Sequence, residues 1–147
     1  MAAAPWSDWL RMLADGGWRP KKHSVDENVL LIFTHEGMSF VLVFDSDDAD
    51  YVQMRLPLIW NIESDGERAS AFKHAAAITA TYKLANVHIK DDEVSVFVET
   101  MRPHVVDEAL LMRLLRTAGE ATKAFAAAMH LETRRPKNAD EPEPTPV

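Results

Sequence analysis

The chain has 147 residues, 47% of them hydrophobic, and this size and apolar content predict a single domain with a core of its own. It has no cysteine and a formal net charge of −7, which excludes disulfides, zinc–thiolate sites and cysteine nucleophiles and argues against nucleic acid as a partner. No run reaches the ~20 apolar residues of a membrane-spanning helix and the first residues have no signal-peptide pattern, so we expect a cytoplasmic protein with no membrane partner.

The first predicted element is a short amphipathic helix near the N-terminus. Pro5 suits the first turn of a helix, and apolar side chains follow it at helical spacing until Gly16 and Gly17 end the pattern. The apolar positions are Trp6, Trp9, Leu10 and Leu13. We interpret this helix as a cover over a sheet, with the alternative that its tryptophans anchor a partner. Residues 18–26 are a polar connection in which a few residues can pair as an extra strand.

Three strands are predicted next, and the rest of the chain is organised around them. Residues 29–33 and 40–44 are continuous apolar runs rich in β-branched and aromatic side chains, joined by a turn at Gly37. A strand that is apolar at every position has no face suited to water, so we expect helices on one face of the sheet and a second cover on the other. Residues 51–56 alternate and predict a half-exposed outer strand, and Pro57 predicts an edge or a bulge.

A second helix and a hairpin follow these strands. Ser64 and Glu67 have the S-x-x-E spacing of a capping box, which predicts a helix over residues 67–84. Asp91 and Asp92 then form a predicted two-residue turn between two short strands in which valines alternate with other residues. The two strands bring the predicted sheet to five.

The last predicted helix opens at Pro103 and has an unusually wide apolar surface. Its inner stripe is Val106, Leu110, Leu114, Ala118, Ala121, Phe125 and Ala128. A second apolar set, Leu111, Met112 and Leu115, lies beside that stripe, and a single contact with a sheet does not require it. We therefore predict that these three residues form a dimer interface. Residues 136–147 are proline-rich and acidic and predict a disordered tail after a domain of residues 1–135.

No catalytic or metal-binding motif is recognisable in the sequence. The six histidines lack the spacing of a zinc site. The acidic turn after the second predicted strand has Ala49 and Asp50 where a calcium loop needs a ligand and a glycine. We therefore predict no catalytic residue, no metal and no cofactor. An enzyme that uses His35, Asp45 or His88 in a cleft stays a minor alternative.

The order of elements and several stretches resemble a known family. The stretches EGMSFVLVFD, DADYVQM, AAAITATYKLANVHIKDDEVSVFVE and LLMRLLRTAGEATKAF are similar to the YbjN-type family of small bacterial proteins, described as sensory-transduction regulators with a fold like that of type III secretion chaperones. The resemblance covers residues 5–131. It implies a non-enzymatic protein, since secretion chaperones are small acidic homodimers that bind an extended segment of another protein along apolar grooves. It transfers no functional residue to this chain.

These observations lead to one expected fold and one expected function. The fold is α+β with a five-stranded antiparallel sheet and the order α-β-β-β-α-β-β-α, like a type III secretion chaperone. The function is that of a homodimeric module, chaperone-like or regulatory, that binds a peptide segment of a partner protein by strand addition at a sheet edge. The predicted partner site is Met54, Leu58, Ile59 and Trp60, with an ordinary core role as the alternative. The alternative function is a sensor domain that binds a small molecule or an ion.

Overall fold

The computed structural model describes residues 4–101, 103 and 106–133, and within them three helices pack on one antiparallel sheet of six strands. The predicted α+β class and antiparallel sheet are confirmed. In chain order the elements are α1 (Pro5–Asp15), β1 (Lys21–Val25), β2 (Asn28–His35), β3 (Met38–Phe44), β4 (Tyr51–Asn61), α2 (Asp65–Thr81), β5 (Ala85–Lys90), β6 (Glu93–Met101) and α3 (Glu108–Thr133). The strand order across the sheet is β1-β2-β3-β4-β6-β5. The predicted tail, residues 136–147, lies outside the described residues.

The sixth strand is β1, and the prediction of five strands is wrong for that reason. Each residue of β1 pairs with β2 in antiparallel register, beginning with Lys21 opposite Ile32. The turn between the two strands consists of Asp26 and Glu27, whose φ angles of 49° and 70° are both positive, as tight two-residue hairpins require. All five side chains of β1 are exposed. The strand is therefore held by backbone hydrogen bonds, and its sequence shows no apolar alternation.

The helix α2 begins at the predicted cap, with one difference in its hydrogen bonds. The Ser64 Oγ accepts from the backbone amide of Glu67 at 3.1 Å, which is the first half of the capping box. The Glu67 carboxylate accepts from the amide of Glu63 at 2.8 Å, one residue before the predicted donor. One amide of the first turn and one amide just before the helix are thus satisfied by side chains, and the short sequence signal was sufficient to place the start of α2.

The helix α3 begins later than predicted. Its first residue is Glu108, five positions after Pro103, because the Asp107 carboxylate accepts a hydrogen bond from the Leu110 amide at 2.6 Å and so caps the helix. The helix then runs to Thr133 and contacts α2, β4, β5 and β6. Within the described residues, none of the helices combines the length and the apolar character needed to cross a membrane.

The strand β4 lies inside the sheet, between β3 and β6, so the prediction of an outer strand is wrong. Its alternation has another cause. Val52, Met54 and Leu56 face the helices and are buried, whereas the residues between them face the other side of the sheet. The predicted bulge at Pro57 is confirmed, since the pairing of β4 with β6 shifts register between Leu56 and Trp60.

The core lies between the three helices and one face of the sheet. Alternate side chains of β2, β3, β4 and β6 are buried there in one large cluster with side chains of α1 and α3, and a smaller cluster includes side chains of α2. Trp9 of α1 is fully buried and meets the Phe44 ring edge to face, with 6.1 Å between the ring centroids. The interpretation of α1 as a cover over the sheet is therefore confirmed.

Candidate functional site

The face of the sheet opposite the helices is not covered by any described element. Four half-buried aliphatic side chains on β2 and β3 point to this side, alternating with buried ones: Leu30, Ile32, Val41 and Val43. We call these four residues the apolar block. In the register of the two strands Leu30 lies opposite Val43 and Ile32 lies opposite Val41, so the block is contiguous. Contiguous apolar surface on a sheet is typical of a face that another element or another chain covers.

Polar side chains frame the apolar block on both sides. Lys21 and His23 of β1 lie directly opposite members of the block on one side, and Gln53 and Arg55 of β4 do so on the other. The apolar block is thus bordered by two cationic side chains, Lys21 and Arg55, in a chain whose net charge is −7. This arrangement suits a bound segment that has apolar anchors flanked by acidic side chains.

A hydrogen-bonded network fixes the polar side of this face. The Gln53 side chain is only 7% exposed, and its Nε2 donates to the Glu99 carboxylate and to the Tyr51 hydroxyl, each at 3.0 Å. Its Oε1 accepts from the Arg55 Nε at 3.1 Å and Nη2 at 2.6 Å. Removal from water raises the pKa of Tyr51 to about 12, and the hydrogen bond with Glu99 adds to the rise. The network therefore presents a polar surface beside the apolar block whose groups are already hydrogen-bonded to one another.

An aromatic stack continues the same face toward the β5 edge. The Phe97 ring stacks on the His88 ring, with 5.1 Å between centroids and 17° between planes. The Arg55 guanidinium carbon lies 4.6 Å from the Phe97 ring centroid, within cation–π range. Because Arg55 touches both Phe97 and Gln53, the stack and the polar network form one connected surface.

The cleft between α1 and the start of α3 offers little support for a small-molecule site. A cleft of about 560 Å³ between α1 and the start of α3 is lined by Asp8, Arg11, Asp15 and Glu108 among others. Small-molecule pockets are mostly apolar, with a few polar groups, whereas this lining is largely charged. Among the described residues there is no group of three or more histidine, aspartate or glutamate side chains placed to hold a metal ion.

The four residues predicted as a partner site do not form one surface. Met54 is fully buried beneath the helices, so that part of the prediction is wrong. Trp60 and Ile59 are half-buried, and the Trp60 Nε1 donates to the Glu67 carboxylate at 3.2 Å. Leu58 is 56% exposed and has a φ of 51°, a strained value that it adopts within the bulge of β4. Only Leu58 remains fully available to a partner.

The predicted dimer interface is wrong for two of its three residues. Leu111 is fully buried and Leu115 is 2% exposed, both in the large core cluster. These two additional apolar side chains of α3 therefore pack in the core of the same chain. Met112 is half-buried and lines a cleft of about 290 Å³ that also includes His35 and Met38 at the β2–β3 hairpin.

The three residues of the enzyme alternative are far apart in the fold. His35 lies at the β2–β3 turn, where its Nδ1 accepts from the Trp18 Nε1 at 3.2 Å. Asp45 follows the opposite end of β3 and accepts from the amide of Asp47 at 2.8 Å. His88 is on the edge strand β5. The structure therefore does not bring these residues into one cleft.

The sequence predicted that the sheet has a second apolar face, but it did not identify which residues lie on that face. The continuous apolar runs predicted two apolar faces. Only the strand register and the placement of the helices show that the residues on the uncovered face are those of the apolar block. The chain matches no protein-family model and no curated protein.

Proposed function

We propose that the chain is a non-enzymatic, homodimeric protein-binding module of the cytoplasm, chaperone-like or regulatory, that binds a segment of a partner protein. The observation that supports this most is the apolar block on a sheet face that no described element covers. Covering apolar surface is favourable by about 25 cal/mol for each Å² removed from water. The resemblance to the YbjN-type family and to type III secretion chaperones is part of the proposal, although the additional strand β1 departs from the element order that the resemblance implies.

The surroundings of the apolar block define the chemistry of the partner segment. Apolar side chains of the segment would cover the block, and acidic side chains would approach Lys21 or Arg55 at its borders. The network around Gln53 is already hydrogen-bonded, so a partner gains from it a preformed rim without having to order these side chains. This mode differs from simple addition of a strand, since the face of the sheet supplies the contact.

A pair of substitutions on the open face tests the proposal. Ile32→Glu with Val41→Glu places two carboxylates in the middle of the apolar block without touching the core. A matched control adds the same charge at exposed helix positions, Ala77→Glu with Ala127→Glu. The wild-type chain and both double variants are immobilised, proteins of the native host that they retain are identified, and the affinity for each purified partner is measured.

We expect a partner that binds the wild-type chain and the control alike and binds the open-face variant at least ~10-fold more weakly, because the two substitutions replace apolar contact surface with charged side chains that would lose their water on binding. Circular dichroism of all three proteins shows whether they are folded. Partners that bind the open-face variant as tightly as the wild-type chain would contradict the proposed surface.

A further inference from the structure

A second cleft, of about 290 Å³, lies between the β2–β3 turn and the middle of α3. The turn and its flanking strands contribute His35, Glu36 and Met38, and α3 contributes side chains between Met112 and Lys123. We call it the α3 cleft. Small-molecule sites have volumes of roughly 300–1,000 Å³ and combine an apolar lining with a few polar groups. The α3 cleft is at the lower end of that range, so it suits a compact ligand.

The less exposed part of the α3 cleft is apolar. Met38 and Met112 are half-buried, and Leu115 and Gly119 are buried. Methionine side chains are unbranched and flexible, so they adapt to the shape of a small apolar group. This lining suits an aliphatic group better than a sugar or a phosphate.

Gly119 keeps the middle of the α3 cleft open. It lies in the interior of α3, where glycine is less favourable than alanine. A methyl group added at this position would meet one side-chain atom, the Met38 Cε, at 3.4 Å. That atom is the end of a flexible side chain, so packing within the chain does not require glycine here. A glycine without such a requirement is typical of a place where a ligand approaches the backbone.

Two opposite charges lie at the rim of the α3 cleft, one helical turn apart. Arg116 and Glu120 both line the cleft, and both are exposed. Residues four apart on a helix are neighbours, with ~5–6 Å between their Cβ atoms. Among the described residues, neither side chain is in an ion pair. A guanidinium and a carboxylate are therefore both available to one small ligand.

The other polar groups of the α3 cleft already have partners. The Lys123 Nζ lies 3.8 Å from the Glu36 Oε2 and so connects α3 to the β2–β3 turn. The His35 Nδ1 accepts from the Trp18 Nε1 at 3.2 Å, which places the ring proton of the neutral imidazole on Nε2. The charged side chains of the cleft are thus two cations and two carboxylates. This balance favours a ligand that has one group of each sign and no net charge.

We propose that the α3 cleft binds a free α-amino acid with an aliphatic side chain. The α-carboxylate pairs with the Arg116 guanidinium, which can donate two parallel hydrogen bonds to it. The α-ammonium pairs with the Glu120 carboxylate, and the aliphatic side chain extends over Gly119 onto Met38 and Met112. Both charges of an α-amino acid are attached to one carbon atom, which matches two opposite charges one helical turn apart. The inference goes beyond the proposed function and does not depend on it.

Isothermal titration calorimetry of the full chain with leucine, isoleucine, valine and methionine as free amino acids tests the proposal. The amide of the tightest binder lacks the carboxylate, and its deaminated acid lacks the ammonium. We expect a Kd below ~1 mM for the tightest binder and at least ~10-fold weaker binding of both analogues. No binding of any of the four at ~10 mM, or an analogue that binds as tightly as its amino acid, would overturn the inference.

Matched variants test the two sides of the cleft. Arg116→Gln removes the cation, whereas Arg113→Gln removes an exposed charge of the same helix that does not line the cleft. We expect R116Q to raise the Kd at least ~10-fold and R113Q to match the wild-type chain. Gly119→Ala should raise the Kd as well, although its melting temperature without ligand should be no lower than that of the wild-type chain. The control is Gly66→Ala, whose added methyl group meets only the Ser64 Oγ, at 3.9 Å.

Methyl NMR spectra of the chain labelled at its seven methionines locate the bound amino acid. The signals of Met38 and Met112 should shift on titration, whereas those of the core residue Met54 and of the exposed Met101 should not. A shift confined to Met101, or a Kd that neither R116Q nor G119A raises, would overturn the inference. A chain that binds the amino acid and retains no partner on the sheet face would support the α3 cleft and contradict the proposed function.

Discussion

Glu132 near the end of α3 holds that helix to α2, and its replacement by glutamine should weaken the fold in a pH-dependent way. Ser70 donates a hydrogen bond to the Glu132 carboxylate. The Lys73 Nζ and the His74 Nε2 lie 3.2 Å and 3.0 Å from the Glu132 Oε1. The hydrogen bond from Ser70, followed by that from Lys73, lowers the pKa of Glu132 from 4.5 to about 2. This contact holds α2 against α3.

The magnitude follows from that change in pKa. At ~1.36 kcal/mol for each tenfold change in proton affinity, the upper limit of the contribution to the free energy of unfolding is ~3.4 kcal/mol. The Glu132 side chain is 29% exposed and that of Lys73 is 72% exposed, so solvent screens the interaction and we expect about 1–2 kcal/mol. Because the pKa is lower in the folded state than in the unfolded state, this stability is present above about pH 4.5 and is lost as the pH falls toward 2.

Urea unfolding, followed by tryptophan fluorescence, measures the effect of Glu132→Gln at pH 7 and at intervals down to pH 3. The matched control is Glu120→Gln, an exposed position on the same helix. We expect E132Q to lose about 1–2 kcal/mol at pH 7, with the deficit shrinking as the pH falls below 4.5, and E120Q to match the wild-type chain. A deficit that is absent at pH 7, or that does not change with pH, would refute the assignment of this contact.

Two further predictions concern the core and the polar network. Leu111→Asp with Leu115→Asp should abolish cooperative thermal unfolding in circular dichroism, since both side chains are buried. Truncation of one such leucine alone lowers the free energy of unfolding by ~2–5 kcal/mol. A double variant that folds as a monomer would contradict this prediction. In a Tyr82→Phe background, phenolate absorbance should titrate with a midpoint at about pH 12 for Tyr51, and Glu99→Gln should lower it. The raised pKa means that the folded state favours the neutral phenol of Tyr51. Its contribution to the free energy of unfolding is therefore present below pH ~10 and is lost as the pH approaches 12. A titration midpoint near pH 10 would contradict the raised pKa.

Local signals were sufficient for the parts of the fold that depend on neighbours in sequence. Pro5 and Ser64 mark the starts of α1 and α2, since proline suits the first turn of a helix and the Ser64 hydroxyl accepts from a backbone amide of the first turn. The Asp91–Asp92 turn was found for the same reason. The start of α3 was predicted five residues too early, at Pro103, because the cap at Asp107 was not recognised. The strand β1 was predicted only as an extra pairing of a few residues within the connection 18–26 and was not counted in the sheet, since its exposed side chains have no alternation and its turn, Asp26–Glu27, lacks the usual glycine or asparagine.

The residues of the candidate site could not be predicted because they depend on which side of the sheet each helix covers. In the continuous run that contains Leu31 and Ile32, either side chain could face the helices; the structure buries Leu31 and leaves Ile32 in the apolar block. A shift of one residue in register exchanges the two faces. The same ambiguity explains why the prediction of Leu111 at an interface is wrong, since a wide apolar surface on a helix does not show whether a second chain or the same chain covers it.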